Sequence, residues 1–350
     1  MHIAERLIDS HSPCFIIAEA SSNHGGNLDR AKQMIDVAAE VGADAIKFQV
    51  FSADKIAANT DDPRTIVRAD EKSVFVTQDT RLIDLYRNNE LPRAWLPELA
   101  RYSKEKGIIF FATPFDEEAV DQLESVHVPA YKIASYELLD VPLLRKVAKT
   151  GKPVIISTGM ADLGEIEFAV NTLNSPQTII LHCNSTYPVP PENVNLRALE
   201  TLRLAFPDQI IGFSDHSLGT AIPLAAVTLG AKVIEKHFYL RDGVKTVDDQ
   251  FSLDYAAFKQ MVADIRTIEK ALGSSAKKPS QIEVCEKEQA RRSLWVTKNV
   301  QIGEQLSPET VASLRPGIGL DARYYDLVMG KAATRPLKAG KPLEWADFTQ

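Results

Sequence analysis

The stretch QIIGFSDHSLGTAIPLAAVTLGAKVIEKHF, residues 209–238, decides the fold. It reads as an apolar run (209–216), a helix (218–229) and a second apolar run (232–238). Both runs carry apolar residues on either face, and a helix joins them. That is the pattern of two parallel strands covered on both sides. Working toward the N-terminus, the same unit recurs. TIILHCNS (178–185) precedes a helix at 195–206, and PVIIST (153–158) one at 162–174. AYKIAS (130–135) precedes a helix at 140–149, and GIIFFATPF (107–115) one at 116–125. AIKFQV (45–50) leads through a long polar connection, 52–78, to a helix at 93–106. CFIIAEA (14–20) leads to a helix at 28–41 closed by Gly42, and a last helix at 254–272 follows the run at 232–238. Eight strand–helix units in about 260 residues predict a (β/α)8 TIM barrel, a domain at 1–272. A doubly wound open sheet is the competing α/β arrangement. It usually announces a cofactor by a glycine-rich turn, and neither G-x-G-x-x-G nor G-x-x-x-x-G-K-[ST] occurs here.

Beyond the last helix, GSSAKKPSQIEVCEKEQA (273–290) is small, polar and charged, and reads as a linker. Residues 291–350 show short strands broken by Gly and Pro, the pattern of a small, mostly β domain. A net charge of −7 gives no global reason to expect nucleic acid or an anionic membrane, so an anionic substrate needs a local cationic cluster. Cys14, Cys183 and Cys285 are scattered and odd in number, which fits free thiols in a reducing compartment. No apolar stretch approaches the ~20 residues of a membrane helix, and MHIAERLIDS lacks the pattern of a signal peptide. A cytoplasmic enzyme is the expectation.

Barrel chemistry gathers at the C-terminal ends of the strands. Those ends carry Glu19; Lys47 and Gln49; Thr113; Lys132, Ser135 and Glu137; Ser157; Ser185 and Tyr187; Ser214, Asp215 and His216; Glu235, Lys236 and His237. One such residue is usually a satisfied core polar group, but a full ring has no structural purpose. Period-two alternation puts Lys47 with Gln49, Ser214 with His216 and Glu235 with His237, and Asp215 opposite. If those faces point inward, two imidazoles from adjacent strands meet at the mouth. They suit a divalent ion such as Mn²⁺, an acid–base pair, or plain core packing. Lys47 and Lys132 among hydroxyls suggest a site for a phosphate ester with a carboxylate. The alternatives are a Schiff-base lysine, as in a class I aldolase, and structural pairing with Glu19 and Glu137.

Several strings then resemble the sialic acid synthase family: AEASSNHGG (18–26), GADAIKFQVF (42–51), ATPFD (112–116), KIASYEL (132–138), ISTGMA (156–161), HCNSTYPVPPENVNL (182–196), GFSDHSLG (212–219) and IEKHFYL (234–240). They run in order along nearly the whole chain, and the tail with RPGIG (315–319) resembles the antifreeze-like (SAF, β-clip) domain that ends these enzymes. The resemblance implies condensation of phosphoenolpyruvate with an N-acylated amino-sugar aldehyde, giving a nonulosonic acid and phosphate. It implies that Lys47, Thr113, Lys132, Ser135, Ser157 and Ser214 hold phosphoenolpyruvate. Ser185 stands where some members have Asn. His216 and His237 would bind Mn²⁺ or Mg²⁺. Glu19 would lie near the chemistry, and Glu137 would contact the sugar or shuttle a proton. Gln49, Tyr187 and Asp248 would bind sugar hydroxyls. Arg315 would reach the acyl group from a partner subunit, implying a domain-swapped homodimer. Gly25 replaces the family's second Asn in NHNG, and TVDD (246–249) replaces P-G-P-D, so the acceptor loop departs from the sialic acid pattern. A Schiff-base aldolase and a non-catalytic carbohydrate-binding protein are the competing functions.

Overall fold

The computed structural model describes residues 1–69 and 75–349. The chain divides into two compact units, Met1–Gly273 and the remainder from Ser274.

The first unit is a closed barrel of eight parallel strands in chain order. They are β1 Phe15–Glu19, β2 Ala45–Val50, β3 Ile109–Pro114, β4 Tyr131–Ile133, β5 Val154–Ser157, β6 Thr178–Cys183, β7 Ile210–Asp215 and β8 Val233–His237. The barrel closes where β8 pairs β1, with His237 opposite Glu19. The strands form because their Ile, Val and Phe residues are buried on both faces; in β1 every position is buried. Five of the helices around the barrel start where the sequence supplies a side-chain cap. Asn27 accepts from Arg30 N ahead of α1 (Leu28–Glu40), and α1 buries Ala31, Met34, Ile35 and Ala38 on one stripe. Asp162 and Glu165 form a capping box ahead of Leu163–Leu173. Asp116, Asp140 and Asp254 cap the helices that begin at Glu117, Val141 and Tyr255.

Gly212 on β7 is packed against Leu181 of β6 and Val233 of β8. A Cβ there would sit 2.5 Å from the Val233 carbonyl oxygen and 2.6 Å from Leu181 Cδ2. Backbone cannot yield as a flexible side chain can. Gly212→Ala is expected to cost about 1–3 kcal/mol or more by overpacking, read as a lowered urea midpoint at unchanged m.

Three features depart from the sequence reading. A short hairpin, His2–Ile3 with Arg6–Leu7, precedes the barrel. The connection expected at 52–78 holds a helical turn (Ala53–Ile56), the strand pair Ile66–Val67 and Thr80–Arg81, and then a helix at Leu82–Arg87. These pieces are too short to show a period; residues 70–74 of that connection lie outside the described residues. Within the stretch read as a linker, Gln281–Ala290 is a helix opened by a Ser280–Glu283 capping box, and none of its residues is buried.

The second unit pairs Ser293–Val296 with Val311–Leu314 antiparallel and adds isolated bridges, among them Trp295–Pro342 and Val300–Leu337. Its core gathers Leu294, Val296, Val311, Val328, Leu343 and Phe348. Gln350 lies outside the described residues. Among the described residues, no helix is long and apolar enough to cross a membrane.

Candidate active site

A cavity of about 520 Å³ opens at the C-terminal ends of the barrel strands. Twelve of the expected site residues line it: Glu19, Lys47, Gln49, Lys132, Ser135, Glu137, Ser157, Tyr187, Ser214, His216, His237 and Asp248. Strand register explains the convergence. Glu19 is level with Lys47 and with His237, and Ser214 with Glu235 and Cys183.

The floor is a network of charge. Lys47 Nζ sits 2.7 Å from Glu19 Oε2 and 3.8 Å from Glu235 Oε2, and donates to Thr113 Oγ1 at 2.9 Å. Thr113 thus acts on the cavity through Lys47. Lys132 Nζ donates to Ser157 Oγ at 2.6 Å and lies 3.6 Å from Glu235 Oε1, which also accepts from Ser214 at 3.0 Å. Gln49 donates to Glu19 at 3.1 Å. Pairing with Glu19 therefore occurs, but the second carboxylate is Glu235 rather than the expected Glu137. Glu235 was visible at the end of its strand without a role. Its position across the register from Ser214, on the face shared with His237, was the available signal.

Burial sets the electrostatics. It holds the Glu19 carboxyl above the usual range against the pull of Lys47. Burial alone would depress Lys47, but Glu19 and Glu235 hold it above the ordinary lysine value. Lys132 is lowered by burial, with Glu235 opposing. Burial pushes the Glu137 carboxyl up to about 8, Lys132 pulling the other way. Two buried ammoniums and two buried carboxylates side by side are costly unless paired, so the floor is built for something other than stability.

His216 and His237 stand at the mouth with ring centroids 5.3 Å apart. His216 Nδ1 contacts the Asn184 carbonyl at 2.7 Å, and Cys183 Sγ lies 3.8 Å from the same nitrogen. Burial works to lower His216, but Cys183 and the Asn184 carbonyl raise it. His237 is lowered by burial, with His216 and the lysines adding to the effect. Its Nδ1 is buried without a hydrogen-bond partner. Among the described residues no three His, Cys, Asp or Glu side chains gather as a metal group. His216 and His237 are the residues at the mouth that could hold a divalent ion.

Behind the cavity wall, Lys236 Nζ pairs with Asp215 at 2.7 Å, both fully buried. These are the residues immediately before the two histidines, on the opposite face as alternation required, and they tie the ends of β7 and β8 together.

Besides Thr113, two expected residues are not in the cavity lining. Ser185 Oγ is buried without a partner beside Gly159, where a Cβ would approach it to 2.1 Å. The Gly159 N–H donates to Ser135 Oγ at 3.0 Å. Arg315 belongs to the second unit, where it is exposed and its Nε donates to the Ala290 carbonyl. The sequence reading missed an apolar wall: Phe51, Val67, Phe75, Leu82, Leu85, Phe115 and Phe251 also line the cavity.

The model of the NeuB family matches residues 34–277, and that of the SAF domain residues 291–349. The chain belongs to the NeuB family. It is 40% identical to the spore coat polysaccharide biosynthesis protein SpsE of Bacillus subtilis, over 99% of this chain and 96% of that one. It is 38% identical to a pseudaminic acid synthase of Campylobacter jejuni, over 95% and 96% of the two chains. Among solved structures, the N-acetylneuraminic acid synthetase of Leptospira borgpetersenii, crystallised with citrate, superimposes with a TM-score of 0.71 at 35% identity, covering 82% of this chain and 94% of that one. This NeuB-family chain thus pairs the barrel with a C-terminal SAF domain, as its sequence led one to expect.

Proposed function

We propose that this NeuB-family chain condenses phosphoenolpyruvate with the open-chain aldehyde of an N-acylated amino sugar, giving a nonulosonic acid and phosphate. The observation that carries the reading is the convergence of Lys47 and Lys132, with Ser157 and Ser214, on one buried floor beside two histidines. A phosphate ester with a carboxylate suits that floor: it would take over the ammoniums now shared with Glu19 and Glu235. Mn²⁺ or Mg²⁺ held by His216 and His237 would polarise the aldehyde oxygen. Carbon 3 of phosphoenolpyruvate forms the bond to the aldehyde carbon. Water adds at carbon 2, the carbon–oxygen bond to phosphate breaks, and a 2-keto acid remains. Gln49, Tyr187 and Asp248 would hold sugar hydroxyls. In the same reading Arg315 serves the acyl group across a domain-swapped homodimer.

Glu137 is the proton donor of this scheme. With its carboxyl raised to about 8, it is protonated at neutral pH and can deliver a proton to the oxygen that was the aldehyde. The sign follows: kcat should fall as pH rises through about 8, because the acid form is lost. In Glu137→Gln the residual rate should be low and flat between pH 7 and 9. A variant that keeps the same alkaline limb rules Glu137 out as the donor.

The lowered ammonium of Lys132 is the one observation that favours a Schiff-base aldolase. Borohydride reduction in the presence of pyruvate separates the two readings. The condensation gives no adduct; a stable mass increase on Lys132 would establish the aldolase.

A further inference from the structure

Between β8 and the turn Asp249–Phe251 the chain runs through residues 239–248 as a loop, which carries Asp248 into the cavity. Arg30 holds the near half of that loop. Its Nη1 lies 3.3 Å from Asp242 Oδ1, and its Nη2 donates to the Leu240 carbonyl at 3.4 Å. The far half is tied to Asn23, a fully buried residue just past β1. Asn23 Nδ2 donates to the Phe238 carbonyl at 2.8 Å and to Ser252 Oγ at 3.0 Å. Asn23 Oδ1 accepts from Thr246 Oγ1 at 2.5 Å. One amide thus grips the segment before, within and after the loop. Asp248 sits inside that grip: its carbonyl accepts from Ser252 Oγ at 2.5 Å and its carboxylate from Ser22 N at 3.3 Å. The two places where the sequence departs from the family strings also meet here. Gly25, at φ +56°, faces the stretch TVDD (246–249), and a Cβ on it would lie 3.6 Å from Thr246 Cγ2.

Neither Asn23 nor Thr246 is among the described residues that line the cavity, so what they contribute reaches a substrate through Asp248. We infer that Asn23 and Thr246 are positioning residues: the Thr246 hydroxyl latches the loop to Asn23 and so holds the Asp248 carboxylate where the acceptor sugar meets it. The inference rests on the condensation proposed above, with Asp248 on sugar hydroxyls, and adds the device that sets the place of that carboxylate. Without the hydroxyl, Asn23 Oδ1 is left buried and unpartnered. The loop then samples other positions, and acceptor binding must order it again. Phosphoenolpyruvate, held by residues on the strands, is not affected.

The test measures phosphate release by the full chain with phosphoenolpyruvate and Mn²⁺. N-acetylmannosamine and 2,4-diacetamido-2,4,6-trideoxyhexose are offered separately, and kinetics are taken with the one used faster. Thr246→Val, isosteric but for the hydroxyl, should raise the acceptor KM about tenfold. It should leave kcat and the KM for phosphoenolpyruvate within about twofold, the pattern of lost ground-state binding. Thr246→Ser keeps the hydroxyl and should hold the acceptor KM within about threefold of the parent. In an Asp248→Asn background, the Thr246→Val penalty on kcat/KM for the acceptor should shrink below about threefold, because the two residues act as one unit. An acceptor KM that Thr246→Val does not move overturns the inference and leaves the condensation standing. So does an equal rise in the KM for phosphoenolpyruvate, a serine variant as poor as valine, or a penalty that stays whole in Asp248→Asn. Phosphate release by the parent with neither sugar, nor with any other aldose, overturns the condensation itself.

Discussion

Lys47→Met is expected to lower kcat/KM for phosphoenolpyruvate by roughly 10²- to 10³-fold. Methionine nearly preserves the length and the apolar stem, so packing changes little. The charge is what goes. Lys47 is buried, 2.7 Å from Glu19 and 3.8 Å from Glu235. Without it, Glu19 loses the ammonium that holds its charge against burial, and the floor keeps a single ammonium, Lys132, for an anionic ligand. Removing one partner of a buried hydrogen-bonded charge pair costs about 2–5 kcal/mol, and each 1.4 kcal/mol is tenfold. Most of the loss should enter through KM for phosphoenolpyruvate, because one of the two ammoniums that would meet the anion is gone before any bond forms. Far-ultraviolet circular dichroism checks that the barrel persists. A folded variant whose KM stays within twofold of the parent would remove Lys47 from the binding site.

His237→Ala should lower kcat by about 10³-fold or more while phosphoenolpyruvate binding changes little. The imidazole sits 5.3 Å from His216 and 5.0 Å from Phe251, with a buried ring nitrogen that no protein group satisfies. Burial keeps the ring neutral, the form that can ligate a metal. Its proposed contribution is to charge development on the aldehyde oxygen, which is greatest in the transition state, so the loss falls on kcat. Steady-state kinetics at saturating Mn²⁺ measures it, and a chelator should reproduce the loss in the parent protein. A variant with more than a tenth of the parental kcat, or full parental activity in chelator, contradicts this role.

The barrel was legible because its strands are buried on both faces. Runs such as FIIAE and VIIS are apolar nearly throughout, so no helical period competes, and aspartate or asparagine marks the starts of five barrel helices. The floor was legible for a related reason. Lysine, glutamate and histidine at alternate positions near strand ends have few structural uses, and a barrel brings all strand ends together. What stayed hidden depends on distance across the fold. Glu235 matters because it stands between Lys47 and Lys132, which come from other strands. Ser185 follows β6 as the pattern asked, but it turns against Gly159 instead of into the cavity. Most of the apolar wall comes from a connection whose strand pair and helix span only two and six residues, too short to show a period.

The most direct test of the central claim uses phosphoenolpyruvate labelled with ¹⁸O at the bridging oxygen. The full chain is incubated with it, the N-acylated acceptor and Mn²⁺, and both products are read by mass spectrometry. Condensation followed by carbon–oxygen cleavage predicts one phosphate per molecule of new 2-keto sugar acid, with the label in the phosphate. It also predicts no phosphate when the acceptor is left out. Phosphate released without acceptor, or label retained in pyruvate with no new carbon–carbon bond, would contradict it.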